Sequence, residues 1–255
     1  MPATTPVVYP IPVGADNYVW LMETAAGDAV IFDPGDFAPV ADVLQRSRLN
    51  LTHILITHHH HDHTDGVTAL ARHFGARVVG HARDAGRLPP LDLAVGDGDA
   101  IPLGPLNCEV MATPGHTLGH VVYRIGDALF TGDTLFSLGC GRLFEGTAEM
   151  MWDSLRRLRA LSGIGRVFPA HEYTLANLGF VLKLEPERED LASLKWWVHE
   201  QIDQGKPTLP TTMERELQFN PFLRADDPDF VHRIGMTGNT AVAVFAHVRT
   251  MRNHH

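Results

Sequence analysis

Five of the chain's sixteen histidines fall between positions 58 and 63, in the stretch Thr57-His58-His59-His60-His61-Asp62-His63-Thr64-Asp65-Gly66. Within it His-x-His-x-Asp-His selects His58, His60, Asp62 and His63. Imidazole and carboxylate donors without a thiolate suit zinc, iron or manganese. A surface run of histidines or a tag-like tract would account for four in a row. It would not account for three distant segments that offer the same donors: His116 in Thr113-Pro114-Gly115-His116-Thr117, Asp133 in Thr131-Gly132-Asp133-Thr134, and His171 in Pro169-Ala170-His171-Glu172.

The elements around these residues must aim them at one point. Thr52–Ile56 is apolar and β-branched, as in a buried strand. Gly66 opens a helical pattern over Val67–Phe74, ended by Gly75, so the histidine cluster is expected on a loop between strand and helix. Before it, Tyr18–Glu23 and Ala29–Asp33 read as a hairpin, Asp33-Pro34-Gly35-Asp36 as a turn, and Val40, Val43 and Leu44 as one face of a short helix. Strands follow at Arg77–Gly80, Cys108–Ala112, His120–Ile125, Ala128–Thr131 and Arg166–Phe168, with residues 82–105 mostly loop. His116 and Asp133 fall just after strand ends, and the strand at 166 delivers His171. A helix covers Ala148–Leu161 with Thr147 as N-cap. This alternation predicts helices packed on sheet faces. After His171 the periodicity is helical, broken by Pro186, Pro207, Pro210 and Pro221 and resuming from about Thr240, so a small α-helical domain is expected from about residue 172 onward.

Bulk composition excludes several classes. The 255 residues are 44% apolar, as in an ordinary globular protein, and hold one large domain or two smaller ones. A net charge of −9 argues against a nucleic-acid partner, and any anion site must then be a local basic patch. Cys108 and Cys140 alone make no disulfide framework, which fits a reducing compartment such as the cytoplasm; Cys140 is expected as a packed side chain rather than a nucleophile. No stretch is apolar enough to span a membrane, and Met1–Thr5 lacks the basic and apolar regions of a secretory signal.

Across nearly its whole length the chain resembles the glyoxalase II (hydroxyacylglutathione hydrolase) branch of the metallo-β-lactamase-fold hydrolases. The resemblance rests on Asp16-Asn17-Tyr18, Thr57 to Gly66, Gly132-Asp133-Thr134-Leu135-Phe136, Gly139-Cys140-Gly141-Arg142, His171-Glu172-Tyr173-Thr174 and Asn220-Pro221-Phe222. It implies an α/β fold, an αββα sandwich over residues 1–171, followed by an α-helical, glutathione-binding domain over 172–255. Seven ligands exceed one tetrahedral zinc and suit two ions if one carboxylate bridges. By the family pattern one ion takes His58, His60 and His116, the other Asp62, His63 and His171, and Asp133 bridges; His59 and His61 are spares.

Two close divalent cations, zinc first with iron or manganese as alternatives, would hold a hydroxide and polarise a thioester carbonyl. Asp62 and Asp133 are then the carboxylates of the catalytic centre, and no serine or cysteine nucleophile is needed. The resemblance places Arg142, Phe144, Tyr173, Arg249 and Arg252 at the glutathione moiety. Arg142 and Phe144 stand where the family has lysine and tyrosine, and Arg252 where it has lysine. The implied reaction is hydrolysis of S-(2-hydroxyacyl)glutathione, typically S-D-lactoylglutathione, by a monomer. Rival readings are another thioesterase of the same fold, a mononuclear-iron glutathione persulfide dioxygenase, an RNA-processing enzyme and a non-catalytic metal binder.

Overall fold

The computed structural model describes residues 6–25 and 27–255. The expectation for Met1–Thr5, and the tip of the first hairpin at Ala26, lie outside these residues. The first half of the chain builds a six-stranded sheet from β1 (Val7–Val13), β2 (Asn17–Ala25), β3 (Asp28–Phe32), β4 (Asn50–Leu55), β5 (Arg77–His81) and β6 (Leu93–Val95), in that spatial order. β1–β2–β3 are antiparallel and β3–β4–β5–β6 parallel. The second sheet starts with β7 (Ala100–Leu103), β8 (Leu106–Ala112), β9 (Val121–Ile125) and β10 (Ala128–Gly132). A small hairpin of β11 (Leu135–Phe136) and β12 (Gly139–Cys140) follows, before β13 (Arg166–Pro169) and β14 (Thr211–Thr212) complete the order β14-β13-β10-β9-β8-β7.

Strand period sorts the side chains between two cores. On β2 and β3, Trp20, Met22, Val30 and Phe32 face the second sheet and pack with Val110, Tyr123, Phe130 and Phe168. The alternate residues Val19, Leu21, Ala29 and Ile31 face α1 (Ala38–Ser47), which contributes Val40 and Leu44, and the helix carrying Val67 and Leu70. With both faces covered, these strands are apolar at nearly every position rather than alternating. α2 is one turn, His61–Thr64, and α3 spans Val67–Phe74 with Gly75 capping it at φ 71°. Part of the expected metal loop is therefore helical.

α4 (Ala148–Arg159) covers the second sheet; the Thr147 hydroxyl accepts from Met150 N at its start. The architecture is the expected αββα sandwich. The helices that follow are α5 (Thr174–Leu184), α6 (Leu191–Asp203), α7 (Met213–Phe219), α8 (Pro228–Arg233) and α9 (Ala241–Asn253). Phe180, Phe222, Phe230, Val244, Phe245 and Val248 join Trp152 and Leu155 of α4 and Leu129 of β10 in one apolar cluster. The C-terminal helices thus share a core with the sandwich, and β14 adds a strand to its sheet.

The expectation of loop over residues 82–105 needs correction, because β6 and β7 lie inside it; β1 lies where the sequence suggested no element. β6 and β7 are short and flanked by Gly, Pro and Asp, and pairing with β5 and β8 fixes them rather than their own pattern. β1 contains Pro10 and Pro12, which lack the N–H of a ladder and fit an edge strand. Cys140 is buried, as expected, and burial pushes its thiol up to about 11.

Candidate metal centre

The strand ends on one rim of the sandwich carry the donors. Asp33, directly after β3, adopts φ 51° and turns its carboxylate onto the segment after β4: Thr57 N and Thr57 Oγ1 both donate to it at 2.7 Å. This anchors the start of the histidine run after β4. His116 comes from the loop between β8 and β9, Asp133 follows β10, and His171 follows β13. Gly132, at φ 47°, lets the Asp133 turn close against this anchor; a Cβ there would lie 2.4 Å from Thr57 Oγ1.

All seven donors come together. His58 Nε2 and His116 Nε2 lie 2.9 and 3.1 Å from His60 Nδ1. The side-chain donors form three groups, each within 4.8 Å: His58, His60 and His116; His58, His63 and Asp133; Asp62, His63 and His171. Asp133 stands between the outer two, its Oδ1 3.4 Å from both His63 Nε2 and His171 Nε2, and its Oδ2 3.4 Å from His116 Nε2.

The opposite nitrogens of His58, His116 and His171 are held, and that of His63 faces a carboxylate oxygen. His116 Nδ1 donates to Arg142 O at 2.8 Å, and His171 Nδ1 lies 3.0 Å from Asp16 Oδ1. His58 Nδ1 is 3.0 Å from Thr57 Oγ1, whose proton goes to Asp33, and His63 Nδ1 is 3.2 Å from the same Asp33 oxygen. Such partners fix the tautomer and aim the other nitrogen inward. His120, fully buried, accepts from Asp133 N at 3.1 Å and stacks on His58 at 4.8 Å. Asn17 donates to Asp62 Oδ2 at 3.0 Å.

The electrostatics divide the centre. Burial, then neighbouring imidazoles, push the His58 pKa well down; the same causes bring His60 down to about 4. His116 is also lowered, chiefly by burial. Burial acts downward on His63 and His171 too, but Asp133, Asp62, and Asp33 or Asp16 outweigh it and raise both. Asp62 is held far below the usual carboxylate range by His171, His63 and Asn17, against its own desolvation. At the centre, both ring nitrogens of His63 and Asp133 Oδ1 are buried with no hydrogen-bond partner among the described residues. Buried polar atoms are rarely left so. Orphaned donors of this chemistry, converging in this way, fit two divalent cations.

His59 and His61 point elsewhere. His61 is exposed and lies 3.1 Å from Asp65; His59 sits 3.1 Å from Asp84. A cleft of about 480 Å³ runs from His116 and Asp133 past Phe136, Cys140, Phe144, Tyr173 and Asn177 to Arg142, Arg249 and Arg252. Phe144 is 63% exposed and packs edge-on against His60 and His116. Tyr173 stacks on His171 with centroids 4.8 Å apart. Arg249 is buried: it donates to Cys140 O at 2.6 Å and lies over the Phe222 ring. Arg252 is half-buried and bonded to Asn177 Oδ1 at 3.1 Å, while Arg142 is exposed. Burial, then Arg249 and Arg142, lower the Arg252 pKa. Among the described residues no carboxylate forms an ion pair with any of the three. The local basic patch required by the acidic net charge is therefore present.

Sequence reasoning missed Asp16 and Asn17 as partners of His171 and Asp62, and gave Asp33, His120 and Asn177 no role at the site. Asp33 alone had a local signal, a carboxylate at a strand end before Pro34-Gly35.

Two family models match the chain: that of the metallo-beta-lactamase superfamily over residues 14–171, and that of the hydroxyacylglutathione hydrolase C-terminus over 172–255. The chain is 45% identical over 250 residues to a hydroxyacylglutathione hydrolase of Rhodospirillum rubrum, covering 97% of this chain and 98% of that one. Among solved structures it is similar to ETHE1 from Myxococcus xanthus, with TM-score 0.66 and 26% identity over 98% of this chain and 100% of that one. It is also similar to TTHA1623 in a di-iron-bound form, with TM-score 0.60 and 26% identity over 84% of this chain and 99% of that one.

Proposed function

The chain belongs to the hydroxyacylglutathione hydrolase family, and from that premise we infer how its own residues perform thioester hydrolysis. The reaction cleaves an S-(2-hydroxyacyl)glutathione, typically S-D-lactoylglutathione, to glutathione and the hydroxy acid. The observation that carries the reading is one cleft running from His116 and Asp133 of the seven-donor His/Asp cluster to three arginines that have no carboxylate partner among the described residues.

We assign His58, His60 and His116 to one cation, Asp62, His63 and His171 to the other, and Asp133 to both. Zinc is the metal we expect, with iron or manganese compatible with the same donors. When bound, two such cations lower the pKa of water and polarise a carbonyl. The protein's part is orientation. Thr57, the Arg142 carbonyl and Asp16 hold the rings of His58, His116 and His171, and Asp33 lies beside His63, so these imidazoles need not turn when substrate arrives. Asp62, whose carboxyl is held far below the usual range, and the neighbouring Asp133 offset the added positive charge. Tyr173 and Phe144 wall the thioester from the side. Arg142, Arg249 and Arg252 take the glutathione carboxylates through charged hydrogen bonds. Phe144 has no hydroxyl, so it contributes contact area only.

We propose residues 1–171 as the catalytic domain and 172–255 as the helical domain that brings Tyr173, Arg249 and Arg252 to it. We further propose a monomeric cytoplasmic enzyme without a nucleic-acid partner. The net charge of −9 supports the last point, and among the described residues no helix is long and apolar enough to cross a membrane.

Metal-loaded protein is expected to release glutathione from S-D-lactoylglutathione, to lose this activity on dialysis against a strong chelator, and to regain it with divalent metal. Protein carrying two ions that leaves the thioester intact, or full activity in verified metal-free protein, overturns the reading.

A further inference from the structure

The segment 82–88 supplies nothing to the centre as described, yet it meets the site through a chain of bonds. His59 turns away from the donors and sets its Nδ1 3.1 Å from Asp84 Oδ2. Asp84 is buried, and Gly119 lies so close that a Cβ there would fall 2.1 Å from its carboxylate carbon. Arg87 forks between two acids. Its Nη2 donates to Asp84 and to Glu145 Oε2 at 3.3 Å, and its Nη1 donates to Glu145 Oε1.

Glu145 passes the restraint on. Its Oε2 accepts from Leu118 N at 2.8 Å, two residues beyond His116. The backbone N–H groups of Phe144 and Glu145 donate to His116 O at 3.2 and 3.3 Å. Three residues before Glu145, the Arg142 carbonyl accepts the His116 Nδ1 proton. The loop carrying Arg142 and Phe144 and the loop carrying His116 are thus laced to each other, and Arg87 ties the lacing to Asp84.

We propose that Arg87, acting through Glu145, is a positioning residue that sets both the His116 ring and the Arg142–Phe144 wall. The inference rests on the assignment of His116 as a ligand and of that wall to glutathione. It predicts that one side chain, touching neither metal nor substrate, affects metal affinity and substrate affinity together. A surface ion pair that only stabilised the fold would leave both unchanged.

Arg87→Met keeps much of the stem and removes the fork. The expected result is affinity for one of the two ions lowered about 10- to 100-fold, the range found for partners of metal ligands. Affinity is read by chelator competition on the protein without substrate. KM for the glutathione thioester should rise in the reloaded enzyme, with a smaller change for a thioester lacking the glutathione carboxylates. Glu145→Gln should reproduce the pattern, and carries the test if Arg87→Met does not fold. Arg87→Lys should recover part of both effects, because lysine keeps the charge and loses the fork. Folded Arg87→Met or Glu145→Gln protein with two tightly held ions and wild-type KM overturns the proposal. Failure of the underlying function is separable, since it would show in the wild type as missing metal or missing turnover.

Discussion

The floor and the wall of the cleft are built by opposite means. On the floor, six of the seven donors are buried or half-buried and Asp62 is exposed, and four of the five imidazoles have their far nitrogen beside a named oxygen. Cation sites are matched there by Asp62 and Asp133. On the wall, Arg142, Arg249 and Arg252 converge with no carboxylate beside them among the described residues. The floor is oriented before anything binds; the wall holds excess positive charge until an anion arrives. The floor should therefore govern metal content and kcat, and the wall KM.

The largest effect should come from removing the residue that joins the floor's two parts. Asp133→Ala is expected to weaken both ions and to lower kcat by more than the about 100-fold typical of losing a ligand's outer partner. His59→Gln, which points away, should cost far less. Metal analysis with single-substrate kinetics checks this; an Asp133→Ala enzyme with two ions and normal kcat breaks the division at its centre.

Acid should act on the floor unevenly. A ring whose folded pKa is raised binds its proton more tightly than a free imidazole, so below that pKa the proton competes with metal. His63 and His171 are raised, whereas His60 is lowered to about 4. In the metal-free protein, His63 and His171 contribute stability that is full below the ordinary imidazole pKa and is lost as pH rises through their raised values. His58, His60 and His116 have the opposite sign, favouring the fold above about 6.5 and less so as pH falls. Metal uptake near neutral pH should therefore expel protons from the Asp62–His63–His171 side, and that ion should leave first on acidification. Calorimetric titration in buffers of different ionisation enthalpy measures the protons released. Equal release for both ions contradicts the prediction.

On the wall, a charged hydrogen bond is worth about 1.5–3 kcal/mol, or about 10- to 150-fold. Arg249→Ala should raise KM within that range, with kcat little changed, since the contact is remote from the reacting bond. It should also lower Tm, because Arg249 is buried against Cys140 O and Phe222. Arg252→Ala should raise KM by about 10-fold, the lower end of the same range, with a smaller loss of Tm. A KM unchanged in both variants removes the glutathione assignment from this wall. The smallest effect expected is from Phe144→Tyr: one neutral hydrogen bond of about 0.5–1.5 kcal/mol, seen as a few-fold lower KM with unchanged metal content.

The sequence by itself determined the donor set, because His-x-His-x-Asp-His places four donors within six residues, and strand ends before His116, Asp133 and His171 are marked by local apolar runs. It also marked α3, α4 and the last helix, whose period and caps are local: Gly75, Thr147 and Thr240 stand where α3 ends and α4 and α9 begin. What only the tertiary structure decided is non-local. Asp16 meets His171 across 155 positions, and Asp33 meets Thr57 across 24. β6 and β7 exist because neighbours pair with them. Arg249 and Arg252 share a helix and a sign, yet one is buried on a carbonyl and the other is tethered to Asn177 at the cleft. A helical spacing puts two side chains on one face, but the packing around each decides how much of its charge a ligand can reach.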